Sequence, residues 1–259
     1  GIEADEYTEL IVDNFYLDIV PLFNSCYCIH TGFTRQDRTP NIFGMNFELC
    51  FQKDVKLSEI NSKYGNIRTI DVPENYQKIW TDINLKIQTG KLDRAGITDF
   101  TERQEILSGL MRRAFYLSRI AEVYNVKSIA EVGTAEGWQF YSFCEYARTV
   151  DGKVFTCDPR DVRNADYIKK FEHEKNVGKF INATSAEMSV IANDIDMFYI
   201  DGLHDKGTVI TDIMNLTKSQ SITQSPVWVL DDFDVRFGCF EDIAQVCTMS
   251  RKFKVWKVG

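Results

Sequence analysis

The chain has 259 residues, a net charge of −8, and a composition that is 44% hydrophobic and 26% charged. This length accommodates one large domain or a domain with an appendage, and the composition is typical of a globular rather than a disordered protein. The acidic balance excludes nucleic acids and anionic membrane surfaces as expected partners, because binding to either needs a basic face.

The expected compartment is the cytoplasm. No window of the sequence has the roughly 18 uninterrupted apolar residues of a membrane span, and the acidic N-terminus lacks the order of a secretion signal. The seven cysteines are irregularly spaced, which favours reduced thiols over a disulfide framework. Cys26, Cys28 and His30 have the spacing of half a zinc site, but without a second pair of ligands ordinary packing is the better interpretation.

The first hundred residues contain three segments with a periodic pattern. Residues 5–20 and 73–87 have a helical period, and residues 46–51 alternate like a strand. We interpret residues 1–100 as an ordered cap, a lid or a homo-oligomer contact that precedes a second domain, residues 101–259.

From residue 101 onward, apolar strand-like runs alternate with segments of helical length. This alternation predicts an α/β fold with a mostly parallel sheet and helices on both faces, in which ligands bind at the carboxyl ends of the strands. The predicted strands are 128–133, 153–158, 179–184, 195–200, 226–232 and 253–258. The predicted helices are 101–124 and, approximately, 138–148, 161–175, 186–192, 206–218 and 240–249.

A glycine loop, EVGTAEG (131–137), follows the first of these strands and precedes a helix. Gly133 and Gly137 allow the backbone to approach a ligand, and the helix supplies free N–H groups. The dinucleotide fingerprint is absent, because Ala135 occupies the position of its second glycine. Glu131 suits a cationic ligand better than a pyrophosphate, and S-adenosylmethionine (SAM) carries an ammonium and a sulfonium.

The ends of the next two strands complete the predicted cofactor site. Asp158 ends the second strand, where a carboxylate can accept hydrogen bonds from ribose hydroxyls. Ser185 and Glu187 follow the third strand and are expected beside the adenine. The residues expected to bind the cofactor are Glu131, Gly133, Thr134, Ala135, Gly137, Asp158, Ser185 and Asp201.

Acidic residues end the fourth and fifth strands. Asp201 and His204 belong to DGLHDKG (201–207), and Asp231 and Asp232 end VWVLDD. If these strands are neighbours, the three carboxylates converge and repel one another unless a cation neutralises them. Oxygen ligands favour Mg²⁺, Mn²⁺ or Ca²⁺. Three alternatives remain open: Asp201 as a helix cap, His204 as a structural histidine, and either neighbouring acid as a loop residue.

The glycine loop, the DG-x-H motif and the acid pair together resemble the class I SAM-dependent methyltransferases. The closest resemblance is to the metal-dependent branch that contains macrolide-sugar O-methyltransferases (macrocin and mycinamicin types) and cephalosporin-hydroxylase-like proteins, over about residues 101–240. It implies a Rossmann-like class I methyltransferase sheet with an N-terminal extension. It also implies Asp201, Asp231 and Asp232 as metal ligands and His204 as the base.

The expected function is therefore SAM-dependent O-methylation of a small-molecule or sugar hydroxyl, assisted by a divalent metal. Three rival interpretations remain. An NAD-type oxidoreductase is disfavoured by the missing second glycine. A non-catalytic SAM-binding module would not depend on His204. A metal-free enzyme would use His204 alone.

Overall fold

A computed structural model of the chain describes residues 27–31, 55–82, 99–220, 226–233, 236–248 and 254–258. The predicted helix at 5–20, the predicted strand at 46–51 and Cys26 lie outside these residues. Within them, no helix combines the length and apolarity that crossing a membrane requires.

Seven strands form one sheet in the order β4-β3-β2-β5-β6-β1-β7. The central five, β2 to β6, are in the order 3-2-1-4-5 when numbered along the chain, and this confirms the predicted Rossmann-like sheet. Every strand pairing whose register is resolved is parallel. The strands are β1 (Tyr27–Thr31), β2 (Ser128–Val132), β3 (Lys153–Cys157), β4 (Gly178–Ile181), β5 (Met197–Ile200), β6 (Val227–Leu230) and β7 (Lys254–Val258).

Helices connect the strands, and most of the predicted helices are present with small shifts at their ends. The helices are α1 (Val55–Tyr64), α2 (74–82), α3 (Phe100–Val123), α4 (Trp138–Ala147), α5 (Ala165–Tyr167), α6 (Ser185–Ile191), α7 (Thr208–Leu216) and α8 (Phe240–Thr248).

The helix predicted over 161–175 is wrong at its start and in its type. Residues 161–164 are not helical, and the side chain of Asn164 caps α5 by accepting hydrogen bonds from the N–H groups of Asp166 and Tyr167. After this single α-turn the chain continues as a π-helix, Ile168–His173. A π-turn has no distinct sequence pattern, so the polar run was interpreted as an ordinary helix.

The structure describes residues 27–31, 55–82 and 99–100 of the N-terminal hundred. Strand β1 lies between β6 and β7 and pairs in parallel with both. It contains Cys28 and His30. Residues 74–82 are helical, in agreement with the predicted helix at 73–87, whose remainder lies outside the described residues. The assignment of residues 1–100 to a cap, a lid or an oligomer contact stays a prediction.

The described residues divide into two compact units. The first comprises Val55–Ile129 and Thr134–Asn182, and in it α3 packs on α4. The Tyr146 hydroxyl donates to the backbone carbonyls of Ala121 and Val126, which fixes the end of α4 against the end of α3.

The second unit comprises Tyr27–Thr31, Ala130–Gly133 and the described residues from Ala183 onward. Strands β5 and β6 form its core and are buried along their whole length. Phe198 stacks on Trp228 with ring centroids 4.1 Å apart. Runs that are apolar on both faces are what a sheet covered on both sides requires.

The direction of the strand order reverses at β2. The chain continues from β2 to β3 and β4 on one side, and β5 and β6 lie on the other. Ligands of open α/β sheets bind at the carboxyl ends of the strands at such a reversal. At this point the N–H of Asp201 donates to the carbonyl of Val132 over 2.9 Å. The fold therefore places the residue that follows β5 beside the end of β2.

Candidate active site

The acidic residues after β5 and β6 lie side by side. Strand register pairs Ile200 with Leu230, and the Asp231 N–H donates to the Ile200 carbonyl over 2.9 Å. The predicted adjacency of these two strands is thereby confirmed, and Asp201 and Asp231 leave the sheet at neighbouring positions.

A buried tyrosine connects the two carboxylates. The Tyr199 hydroxyl lies 2.6 Å from Oδ2 of Asp231 and 3.0 Å from Oδ2 of Asp201, and its side chain is fully buried. Tyr199 is not among the site residues predicted from the sequence. A signal was present, because Tyr199 lies two positions before Asp201 and successive alternate residues of a strand share a face.

His204 meets two of the acids. Its Nε2 lies 2.6 Å from Oδ2 of Asp232 and 4.0 Å from Oδ1 of Asp201. The ligand atoms that Asp201, His204 and Asp232 can offer lie within 4.8 Å of one another. The His204 side chain is 44% exposed, so a ligand can reach it from solvent.

The hydrogen bond to Asp232 raises the pKa of His204 above its ordinary value, and burial opposes this effect only partly. The neighbouring charges of Asp232, Asp231 and Asp205 act in the same direction as the hydrogen bond. Since these neighbouring negative charges favour an imidazolium, the same surroundings favour a bound cation.

Asp232 has a backbone conformation that side chains rarely adopt. Its φ is 58°, in the left-handed region, where residues other than glycine are uncommon and asparagine and aspartate are enriched. Strained backbone of this kind is frequent at functional sites. Here the strained residue is Asp232, whose carboxylate contacts the His204 imidazole.

Asp231 is directed differently from its neighbour. Its side chain is 3% exposed, Oδ2 accepts from Tyr199, and Oδ1 accepts from the N–H of Asp232 over 2.9 Å. Of the three predicted metal ligands, Asp201 and Asp232 are thus grouped with His204, whereas Asp231 bonds to the surrounding protein.

Gly133 lies where the chain leaves β2, with φ at 94°. A Cβ atom at this position would lie 1.8 Å from the carbonyl oxygen of Asp201. Only glycine permits both this φ and this approach. The glycine of the predicted loop therefore has a demonstrable structural role in the same unit as the acid cluster.

Four further predicted cofactor residues belong to the other unit. The Thr134 and Thr156 hydroxyls are 2.6 Å apart, and the N–H of Ala135, whose φ is 45°, donates to Oδ2 of Asp158 over 3.0 Å. Gly137 has φ at 94° and begins α4. These contacts fix the loop against the end of β3 and orient the Asp158 carboxylate.

The two remaining predicted cofactor residues are buried in the unit that contains β5 and β6. Glu131 is 1% exposed. The Ser185 hydroxyl donates to Oδ1 of Asp212 over 2.6 Å and accepts from Nδ2 of Asn215 over 2.9 Å. Glu187 forms a capping box with Thr184 at the start of α6. Ser185 thus ties α6 to α7, and contact of Ser185 or Glu187 with an adenine stays a prediction.

We expect Tyr199→Phe to lower the free energy of unfolding by about 2–3 kcal/mol in metal-free buffer, because two carboxylates lose a buried donor. The measurement is urea unfolding with and without Mn²⁺. Tyr146→Phe is the matched control, since its buried hydroxyl donates to the neutral carbonyls of Ala121 and Val126, and we expect a loss of about 1 kcal/mol. Mn²⁺ should restore stability to Tyr199→Phe alone; equal losses that Mn²⁺ does not change would contradict the prediction.

Comparison with known families matches residues 130–233 to a family described as a methyltransferase domain. The match covers less than half of the chain, but it includes the glycine loop, Asp158, the DG-x-H motif and the acid pair. A search of curated proteins gives no significant match.

Several solved structures are similar to this chain at low sequence identity. The SAH-bound methyltransferase PaMTH1 of Podospora anserina is 13% identical, with 72% of this chain and 71% of that chain covered and a TM-score of 0.45. The SAM-bound O-methyltransferase TomG of Streptomyces achromogenes is 15% identical, with 54% and 65% covered and a TM-score of 0.41. An SAH-bound O-methyltransferase of Bacillus cereus is 12% identical, with 63% and 66% covered and a TM-score of 0.40. Likeness at this level carries no information about the acceptor.

Residues 130–233 match a methyltransferase domain, and the strand order of the sheet is that of a Rossmann-like methyltransferase fold.

Proposed function

We propose that this chain is an O-methyltransferase that uses a divalent metal ion and a histidine base to methylate a hydroxyl group of a small molecule or sugar. The observation that carries the proposal is the convergence of Asp201, His204 and Asp232 where β5 and β6 end. Two carboxylates and an accessible imidazole supply what activation of a weakly acidic hydroxyl requires.

The geometry fits a metal ion. Two ligand atoms on opposite sides of one ion are about 4.2 Å apart for Mg²⁺ and about 4.6 Å apart for Ca²⁺. The ligand atoms of the cluster lie within 4.8 Å of one another. Asp201 and Asp232 would hold the ion, and their oxygen atoms favour Mg²⁺ or Mn²⁺. When bound, such an ion lowers the pKa of a coordinated hydroxyl. Asp231 would help to hold Asp201 in place through the Tyr199 hydroxyl, which is hydrogen-bonded to both carboxylates.

The contact between His204 and Asp232 suits a general base. Asp232 accepts the hydrogen on Nε2, which leaves Nδ1 as the nitrogen that can take a proton. The carboxylate orients the ring and stabilises the imidazolium that forms when the substrate hydroxyl gives up its proton. The leaving-group chemistry belongs to the sulfonium of SAM, so the protein's remaining task is orientation.

We assign binding of the cofactor to the residues of the glycine loop and to the strand ends predicted from the sequence. Asp158, held by the N–H groups of Ala135 and Arg160, keeps lone pairs free to accept ribose hydroxyls. Gly133 leaves room for a ligand or backbone where any side chain would collide. Glu131 supplies negative charge suited to the ammonium of the methionine part.

Calorimetric titration with S-adenosylhomocysteine, first with Mn²⁺ and then with EDTA, tests the proposal. Micromolar binding in both conditions, together with a separate heat for Mn²⁺, would support cofactor and metal sites. Cofactor binding without any Mn²⁺ heat would leave a metal-free enzyme that relies on His204. Failure to bind the cofactor, with binding of NAD instead, would revive the oxidoreductase interpretation.

We expect Asp232→Asn to weaken Mn²⁺ binding at least about tenfold while the affinity for S-adenosylhomocysteine stays within about twofold. Asparagine accepts the left-handed backbone at this position, so the substitution removes the charge without adding strain. Asp205→Asn is the control, because this exposed acid lies in the same loop outside the cluster. If both variants weaken Mn²⁺ equally, Asp232 is not a ligand.

A further inference from the structure

Asp242 is a buried carboxylate that the proposed chemistry does not use. It lies in the first turn of α8 and is 2% exposed. Its Oδ2 accepts a hydrogen bond of 2.7 Å from the N–H of Gly207, which ends the DGLHDKG loop. A buried carboxylate is costly unless it is hydrogen-bonded, so this contact calls for a structural reason.

The reason lies in how α7 begins. Gly207 is the N-cap of α7 with φ at 86°, and it has no side chain with which to cap the helix. The first N–H groups of a helix have no partner within the helix and need one from outside. Burial raises the pKa of Asp242, and the nearby N–H groups of Gly207, Val209 and Ile210 act in the opposite direction. Asp242 therefore caps α7 from another helix.

The residues just before Asp242 contact the same loop. The N–H of Cys239 donates to the carbonyl of His204 over 3.0 Å, and the Phe237 ring lies edge-on to the His204 imidazole with centroids 4.7 Å apart. Gly238 approaches so closely that a Cβ there would lie 2.9 Å from the N atom of Lys206. The segment 237–242 thus holds the loop at its middle and at its end.

We propose that the segment 237–242 is a clamp that fixes the DGLHDKG loop, with Asp242 as the positioning residue that keeps the His204 imidazole against Asp232. This rests on the proposed role of His204. The loop is hydrogen-bonded to β2 through Asp201 at its beginning, whereas the clamp holds His204 and Gly207. Without the clamp, the backbone carbonyl of His204 loses its fixed position, and the contact of its ring with Asp232 is no longer enforced.

Amide hydrogen exchange of the whole chain tests the clamp without reference to activity. In Asp242→Ala we expect residues 203–208 to exchange at least about tenfold faster, while β5 and β6 stay unchanged. Asp242→Asn, which keeps an acceptor oxygen, should restore much of the protection. Glu241→Gln is the matched control: it removes the exposed ion pair of Glu241 with Lys206 of the same loop and should leave exchange unchanged.

Gly238→Ala provides a second perturbation, because its added methyl group pushes on the loop and leaves Asp242 intact. If Asp242→Ala does not fold, exchange in Gly238→Ala and Asp242→Asn decides. Faster exchange confined to 203–208 supports the clamp, whereas unchanged exchange there, or an equal rise throughout β5 and β6, overturns it.

Mn²⁺ titration of the same samples distinguishes failure of the clamp from failure of the proposed metal site. A wild-type protein that does not bind Mn²⁺ contradicts the metal site, and the result of the exchange experiment still stands.

Discussion

Replacement of His204 by alanine is expected to lower the rate of methyl transfer by about 10²–10⁴-fold, the usual contribution of a positioned general base. Affinity for S-adenosylhomocysteine should not change, because the contacts of His204 within the described residues are with Asp201, Asp232, Phe237 and Cys239 and not with the glycine loop. The measurement is transfer of labelled methyl groups from SAM to an acceptor found by screening catechols and sugars, combined with calorimetry of S-adenosylhomocysteine.

His173→Ala is the matched control, since this histidine is exposed on the π-helix. Equal activity of His204→Ala and wild type would remove the base from the mechanism and favour a non-catalytic role of the loop. Mn²⁺ titration of His204→Ala adds a second distinction. Retained binding is expected for a base, whereas a loss of about tenfold or more would make His204 a metal ligand.

The second large effect is expected at Gly133. We expect Gly133→Ala to lower the free energy of unfolding by about 4 kcal/mol or more, because a Cβ would overlap the backbone of Asp201 and the φ of 94° disfavours any side chain. A backbone carbonyl cannot move aside as a flexible side chain can. The same substitution should also abolish binding of S-adenosylhomocysteine. Urea unfolding and calorimetry measure the two effects.

Gly207→Ala separates the two causes. Its φ of 86° is nearly the same, but a Cβ would meet nothing within 4 Å, so we expect a loss of only about 1–2 kcal/mol. A similar loss in both variants would show that left-handed backbone, and not the approach of Gly133 to Asp201, dominates at this position.

The sequence was sufficient for the order of elements from residue 100 onward. Runs such as Met197–Ile200 and Val227–Leu230 are short, apolar on both faces and bounded by polar residues, as the strands of a parallel sheet covered on both sides are. The rule that ligands bind at the carboxyl ends of such strands then predicted a site that contains Asp201, His204, Asp231 and Asp232. These inferences needed only local pattern and chain direction.

Other parts of the fold had no local signal. Strand β1 is followed by almost a hundred residues before the rest of the sheet begins, and nothing in its own sequence shows that it pairs with β6 and β7. The start of α5 depended on whether Asn164 or an earlier residue would cap the helix, and the π-helix that follows, in which Phe171 is buried, has no distinct sequence pattern.

By itself, the sequence determined the class of fold, the glycine loop and the set of acids and histidine at one edge of the sheet, because strand periodicity and chain order are local properties. Only the tertiary structure decided how those side chains divide their roles. It directs Asp231 toward Tyr199 and Asp232 toward His204, and it brings Asp242 from α8 to the start of α7. Such pairings depend on side-chain direction and on contacts between residues far apart in the chain, and no spacing of residue types encodes them.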